Sequence, residues 1–133
     1  MKSIADHSSM SPGVHTAVLM ARLVDPQGKC MNPAAIQSIE YSLFEVAKGR
    51  RKRPVRGHVA RRLNINEVVL AGLQNDDAWD VDCSGYNFRH EISVARSEVP
   101  AGGDVCYELL YLIRNTTGEE SIVQFRVRMF CHD

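Results

Sequence analysis

The sequence is poor in the features that announce chemistry. Its four cysteines, Cys30, Cys83, Cys106 and Cys131, are scattered and form no C-x-x-C pair. That excludes the tight ligand spacing of a structural zinc site. No apolar run approaches the roughly eighteen residues of a membrane-spanning helix, so no membrane partner is expected. The opening MKSIADHSSMSPG is polar and has no apolar h-region, so no secretory signal is expected. The cysteines are then expected as four free thiols. There is no G-x-S-x-G, no P-loop, no dinucleotide-binding glycine fingerprint and no H-E-x-x-H. His7, His15, His58, His90 and His132 lack ligand-spaced partners. Cys131-His132-Asp133 are adjacent, and neighbours on an extended chain point to opposite sides. The expectation is a chain with no catalytic residue, no metal and no cofactor, and not an enzyme.

Net charge is also lacking. Sixteen Lys and Arg balance sixteen Asp and Glu. What is present is ordinary for a globular protein: 44% apolar residues and 24% charged ones. At 133 residues the chain is expected to form one domain that buries roughly two-thirds of its unfolded surface.

Periodicity points to strands. Residues 1–13 are polar and aperiodic and read as an N-terminal arm, leaving 14–133 as the domain. Val14–Val24 is apolar and partly β-branched and stops at Asp25-Pro26-Gln27-Gly28, a turn sequence. In 38–46, Ile39, Tyr41 and Leu43 alternate with Glu40 and Ser42. Glu67–Leu73 reads as a short apolar strand. Phe88, His90, Ile92 and Val94 alternate with Arg89, Glu91 and Ser93. Val105, Tyr107, Leu109, Tyr111 and Ile113 share one face. After the loop RNTTGEES, Val123, Phe125, Val127 and Met129 alternate with Gln124, Arg126 and Arg128. These last two runs predict a long hairpin, with Cys106 opposite about residue 129. Six or seven strands, turns every ten or so residues and no sustained 3.6 period predict an all-β antiparallel sandwich.

Charge is placed unevenly despite the balance. KGRRKRPVRGHVARR (48–62) holds eight of the sixteen basic residues, namely Lys48, Arg50, Arg51, Lys52, Arg53, Arg56, Arg61 and Arg62, and no acid. Pro54 and Gly57 argue for a shaped loop rather than a helix. Residues 63–88 hold Glu67, Asp76, Asp77, Asp80 and Asp82 and no base before the end of that stretch. The four aspartates lack the Gly and Glu of an EF-hand loop. Three readings of the basic run compete: a solvated loop, phosphate contact with nucleic acid, and a protein contact. No aromatic is interleaved, so base stacking is not indicated. The separated signs favour the protein contact, because complementary patches steer and orient association. Joined head to tail, such patches build a ring or tube of identical subunits.

The residues VPAGGDVCYELLYLI (99–113) resemble the tyrosine corner of immunoglobulin-like and fibronectin-type sandwiches, with a spacer longer than the fibronectin form. That resemblance implies that the Tyr107 hydroxyl bonds main chain near 99–103. The Cys-Trp-Cys signature of antibody domains is absent. The run WDVDCSGYNFRHEI, the Pro-Gly-Gly corner and the VCYELLYLI strand are similar to small immunoglobulin-like structural proteins of tailed phages, most specifically over 79–113. This resemblance implies an immunoglobulin-like fold and a virion protein of the neck, tail or capsid surface. Its partners would be identical subunits and other virion proteins. The alternative is a small nucleic-acid-binding β domain using the basic run.

Overall fold

A computed structural model describes residues 3–11, 14–46, 52–77, 79, 81–82, 84–95 and 104–130. The strands are β1 (Ser3–Ser11), β2 (Val14–Ala21), β3 (Ile36–Val46), β4 (Arg53–Pro54), β5 (Arg61–Arg62), β6 (Val69–Gln74), β7 (Tyr86–Ala95), β8 (Asp104–Asn115) and β9 (Glu120–Phe130). One helical turn, α1 (Ile65–Val68), precedes β6. All pairings are antiparallel. One sheet runs β1-β2-β7-β6 and the other β4-β3-β8-β9, with β5 also on β3. The protein is therefore all-β, with two sheets, as the alternation predicts.

The core lies between the sheets, where the period-two pattern places one face of each strand. Leu19, Ile39, Leu43, Phe88, Ile92, Leu109, Ile113, Val123, Phe125 and Val127 are all buried there. The hairpin β8–β9 is regular along its whole length. Its register puts Cys106 opposite Arg128, one residue from the expected position. The reason is the loop: strand pairing closes at Arg114–Glu120, and Gly118 takes the positive φ of 90° that the turn needs. Cys30 is exposed and Cys106 half-buried, both unbonded. Cys83 and Cys131 lie outside the described residues.

Three expectations need correction. The polar N-terminal segment is not an arm at 3–11: it pairs with β2 from Ser3↔Ala21 to Ser11↔Val14. An edge strand needs main-chain partners rather than apolar alternation, so composition misses it. The run Glu67–Leu73 starts as helix: the Asn64 side chain accepts from Asn66 N–H at 3.1 Å and caps α1, and the strand begins only at Val69. The basic run is not a free loop over 52–62. β4 and β5 pair with β3 at Phe44↔Pro54, Glu45↔Arg53, Glu40↔Arg62 and Tyr41↔Arg61. Val55 is buried, Leu43 N–H donates to His58 O at 2.8 Å, and Val55 N–H donates to Leu43 O at 2.9 Å. The open edge of β3 has donors and acceptors to satisfy, and the nearest backbone after the strand satisfies them.

Asn87 joins the β2–β3 connection to β7. It is 1% exposed. Its Oδ1 accepts from Leu23 N–H at 2.6 Å, and its Nδ2 donates to Leu23 O at 3.0 Å and Met31 O at 2.9 Å.

Candidate interaction surfaces

The basic residues divide by partner. Lys48, Arg50 and Arg51 lie outside the described residues. Lys52 Nζ meets Glu108 Oε1 at 2.9 Å and stands 4.8 Å from the centre of the Phe44 ring. Arg126 approaches the other Glu108 oxygen at 3.9 Å. Arg53 lies 3.6 Å from Glu45. Both carboxylates are nearly buried, with Glu45 at 9% and Glu108 at 6%. Lys52 and Arg53 thus serve in part to neutralise acids of β3 and β8. Arg56, Arg61 and Arg62 are exposed and form no ion pair among the described residues. They form a cationic margin along the outer edge of the five-stranded sheet.

The acidic residues are less available than their composition suggests. Asp80 lies outside the described residues, and Asp77 is exposed. Asp76 accepts from the Tyr86 hydroxyl at 2.7 Å. Asp82 accepts from Trp79 Nε1–H at 3.1 Å, Ser84 N–H at 3.0 Å and Gly85 N–H at 3.2 Å, and it pairs with Arg22 at 2.8 Å. The Trp79 hydrogen bond, followed by the bonds from Gly85, Arg22 and Ser84, holds the Asp82 carboxyl well below the usual carboxylate range despite some burial. Val18 and Met20 point away from the main core and carry a second cluster with Trp79 and Tyr86. Asp82 clips this segment over the four-stranded sheet. Gly85 at φ 100° completes the clip, since a Cβ there would collide with the Gln74 carbonyl.

This arrangement gives a direct test. Trp79 is the one tryptophan of the chain, so its fluorescence reports on the clip alone. Asp82→Ala is expected to shift Trp79 emission to the red, because the ring loses its anchor and meets water. Far-UV circular dichroism should be unchanged, since the ladder does not depend on Asp82. Emission identical to the parent protein would show that apolar packing holds Trp79 without Asp82.

Between the sheets lies a polar chain that the sequence reading missed. His58 Nδ1 and the Tyr41 hydroxyl are 2.9 Å apart, and His90 Nδ1 and the Tyr111 hydroxyl 2.7 Å. The Tyr41 and His90 rings stand 5.0 Å apart. Burial pushes the His90 imidazole down to about 4, with the charge of His58 adding to the shift. Burial raises the Tyr111 hydroxyl and, against the pull of Arg61, that of Tyr41. His90 lies on the apolar alternation of β7, so its inward side was legible; its partners, from three other segments, were not. The parity also places Phe88 in the core and Arg89 in solvent, as expected.

Tyr107 is buried near the start of β8, between Glu45 and Val127 in the ladder. The 99–103 corner lies outside the described residues, as does Cys131-His132-Asp133. On its outer face the five-stranded sheet presents Phe44, Leu110, Leu112 and Ile122 as an apolar groove beside Glu40 and Ser42. Compared with protein-family models, curated proteins and solved structures, the chain matches none of them.

Proposed function

We propose that the chain is a non-enzymatic, immunoglobulin-like subunit of a symmetric phage assembly that contacts an acidic surface of a neighbour through its cationic edge. The strand order supports the fold reading. Taking β1 to β3 as strands A, B and C, β4 and β5 as C′, and β6 to β9 as D, E, F and G, the sheets read ABED and C′CFG. That is the order of an immunoglobulin sandwich with an added C′. Tyr107 falls near the start of strand F, where the tyrosine corner belongs. Leu109, two residues after Tyr107, is buried in the core at the position where antibody domains carry the second cysteine of their disulfide. The non-enzymatic reading is supported by the occupations of the strongly perturbed groups: Asp82 clips Trp79, and His90 and Tyr111 bridge the sheets. The virion setting follows from the resemblance of residues 79–113.

The observation that carries the contact is the exposed set Arg56, Arg61 and Arg62 on one sheet edge, without ion pairs among the described residues. A free-standing neutral domain has no use for such a cluster. Asp76 and Asp82 have intramolecular partners, so the acidic acceptor is better sought on other exposed carboxylates of a neighbour, identical or not. Each exposed ion pair is worth roughly 0–1 kcal/mol, so only the cluster matters.

The test is Arg56→Glu, Arg61→Glu and Arg62→Glu together, followed by sedimentation velocity at low and at molar salt. The parent protein should form species larger than a dimer at low salt and lose them at about 1 M, where the Debye length is about 3 Å. The triple variant should lack them at any salt, with its circular dichroism intact. A triple variant that still forms them removes this reading. A parent protein without them, which retards duplex DNA on a gel only while the arginines are present, supports the nucleic-acid alternative instead.

A further inference from the structure

Four strand edges bound the two sheets, and three of them are interrupted. β1 shifts register between Asp6 and Ser9. β6 does so between Val69 and Gln74. The edge beyond β3 is built from two runs of two residues, one of them containing Pro54. Bulges, prolines and short edge runs are how sheets avoid pairing with other chains. β9 has none of these. It follows β8 without a shift from Glu120 to Phe130 and contains no proline. Among the described residues, no strand hydrogen-bonds to its outer edge, although β1 of the other sheet lies close beside β9.

The ladder fixes which groups that edge offers. Asn115 N–H donates to Glu119 O at 2.9 Å, so 115–119 is a hydrogen-bonded pair. Bonded and non-bonded pairs alternate along an antiparallel ladder. Ser121, Val123, Phe125 and Val127 therefore bond to β8, and Glu120, Ile122, Gln124 and Arg126 turn their N–H and C=O outward.

We propose that this edge pairs antiparallel with β9 of a second copy of the chain, about a twofold axis at Val123. The two five-stranded sheets then become one continuous sheet. In this register Glu120, which also pairs with Arg114 of its own chain at 2.6 Å, stands opposite Arg126 of the second copy, and Arg126, 3.9 Å from its own Glu108, stands opposite the second copy's Glu120. Opposite charges directly across a ladder favour the pairing, and a twofold contact must be self-complementary in this way. That self-complementarity selects a second copy over an unrelated strand. Ile122, at 68% exposure, is the most exposed large apolar side chain among the described residues. The same register sets it opposite Gln124 and diagonal to the Ile122 of the other copy, within reach of partial burial.

This proposal rests on the reading of the protein as an assembly subunit, and supplies that assembly with a symmetry operator. The arginine edge and β9 lie at opposite ends of one sheet, so each joined pair keeps both arginine edges free. The two contacts are also separable by experiment. The dimer should survive the triple arginine reversal, and its loss should leave the arginine edge unaltered.

The test uses the full chain and sedimentation equilibrium across concentration. The parent protein should dimerise. Gln124→Pro should weaken the dimer at least about tenfold, since it removes an outward N–H and none that bonds to β8. Glu120→Arg and Arg126→Glu should each weaken the dimer, and the double exchange should restore it, because the exchanged charges again face each other. Circular dichroism checks the fold of each; should the proline variant unfold, the exchange series decides alone. A parent protein that stays monomeric at about 100 µM overturns the proposal. So does a folded proline variant that dimerises normally, or a double exchange no better than the singles.

Discussion

Replacing Asn87 with alanine should cost about 2 to 4 kcal/mol, a large share of the stability of a domain of this size. Among the described residues two main-chain groups depend on this side chain, Leu23 N–H and Met31 C=O, whereas Leu23 C=O also accepts from Met31 N–H at 3.0 Å. Each buried group left without a partner costs about 1–3 kcal/mol, and a domain of this size is stable by only about 5–15 kcal/mol. The alanine leaves a small polar cavity, and water entering it would recover part of the loss, so the expected value sits below the full sum. Urea unfolding measures it directly. The midpoint should fall while the slope stays the same, because the surface exposed on unfolding is unaltered. A loss under about 1 kcal/mol would mean that the 22–31 connection is held by its own turn. In that turn the Asp25 carboxylate accepts from Gln27 and Lys29 N–H at 2.9 Å each.

Acidification should remove about 3 kcal/mol of stability between pH 6.5 and pH 4, through His90. In the unfolded chain the imidazole titrates near 6.5, and in the fold near 4. Over that window the unfolded state binds the proton and the folded state does not, so stability falls as pH falls. The contribution is fully present above pH 6.5 and is gone below the folded value. A difference of about 2.5 units converts to about 3 kcal/mol. Among the described residues the near neighbours of the imidazole supply no negative charge: the Tyr41 ring and the Tyr111 hydroxyl flank it, and the charge of His58 opposes its protonation. Asp82 acts in a separate, lower window, because its carboxyl stays ionised well below the usual range. Urea midpoints from pH 7 to 4 should therefore slope steeply in the parent protein and lie flatter in His90→Gln, which keeps a partner for the Tyr111 hydroxyl but does not titrate. Parallel slopes would place the acid sensitivity elsewhere.

The two effects differ in how far the sequence could have foretold them. His90 sits on a run of alternating apolar residues, so its inward direction was legible, and a histidine among core residues is a marked position. Asn87 carried no signal. It lies between Tyr86 and Phe88 in a strand, and its partners are main-chain groups more than fifty residues away. The charge clusters fall between these cases. Their composition was plain at once. That Lys52 and Arg53 answer Glu108 and Glu45, and that Asp82 answers Arg22 and Trp79, depends on which strands lie side by side.

What the sequence determined by itself is whatever a local period can encode. Alternation in 38–46, 88–94, 105–113 and 122–130 set the strands, their inward faces and the long hairpin, because side chains on a strand alternate sides whatever their neighbours. The tertiary structure alone decided the pairing of the polar N-terminal segment, the course of the basic run along β3 and the occupation of each charge. These rest on main-chain hydrogen bonds and on ion pairs between distant segments. A backbone N–H is the same in nearly every residue, so the partner it finds is set by what the fold brings beside it.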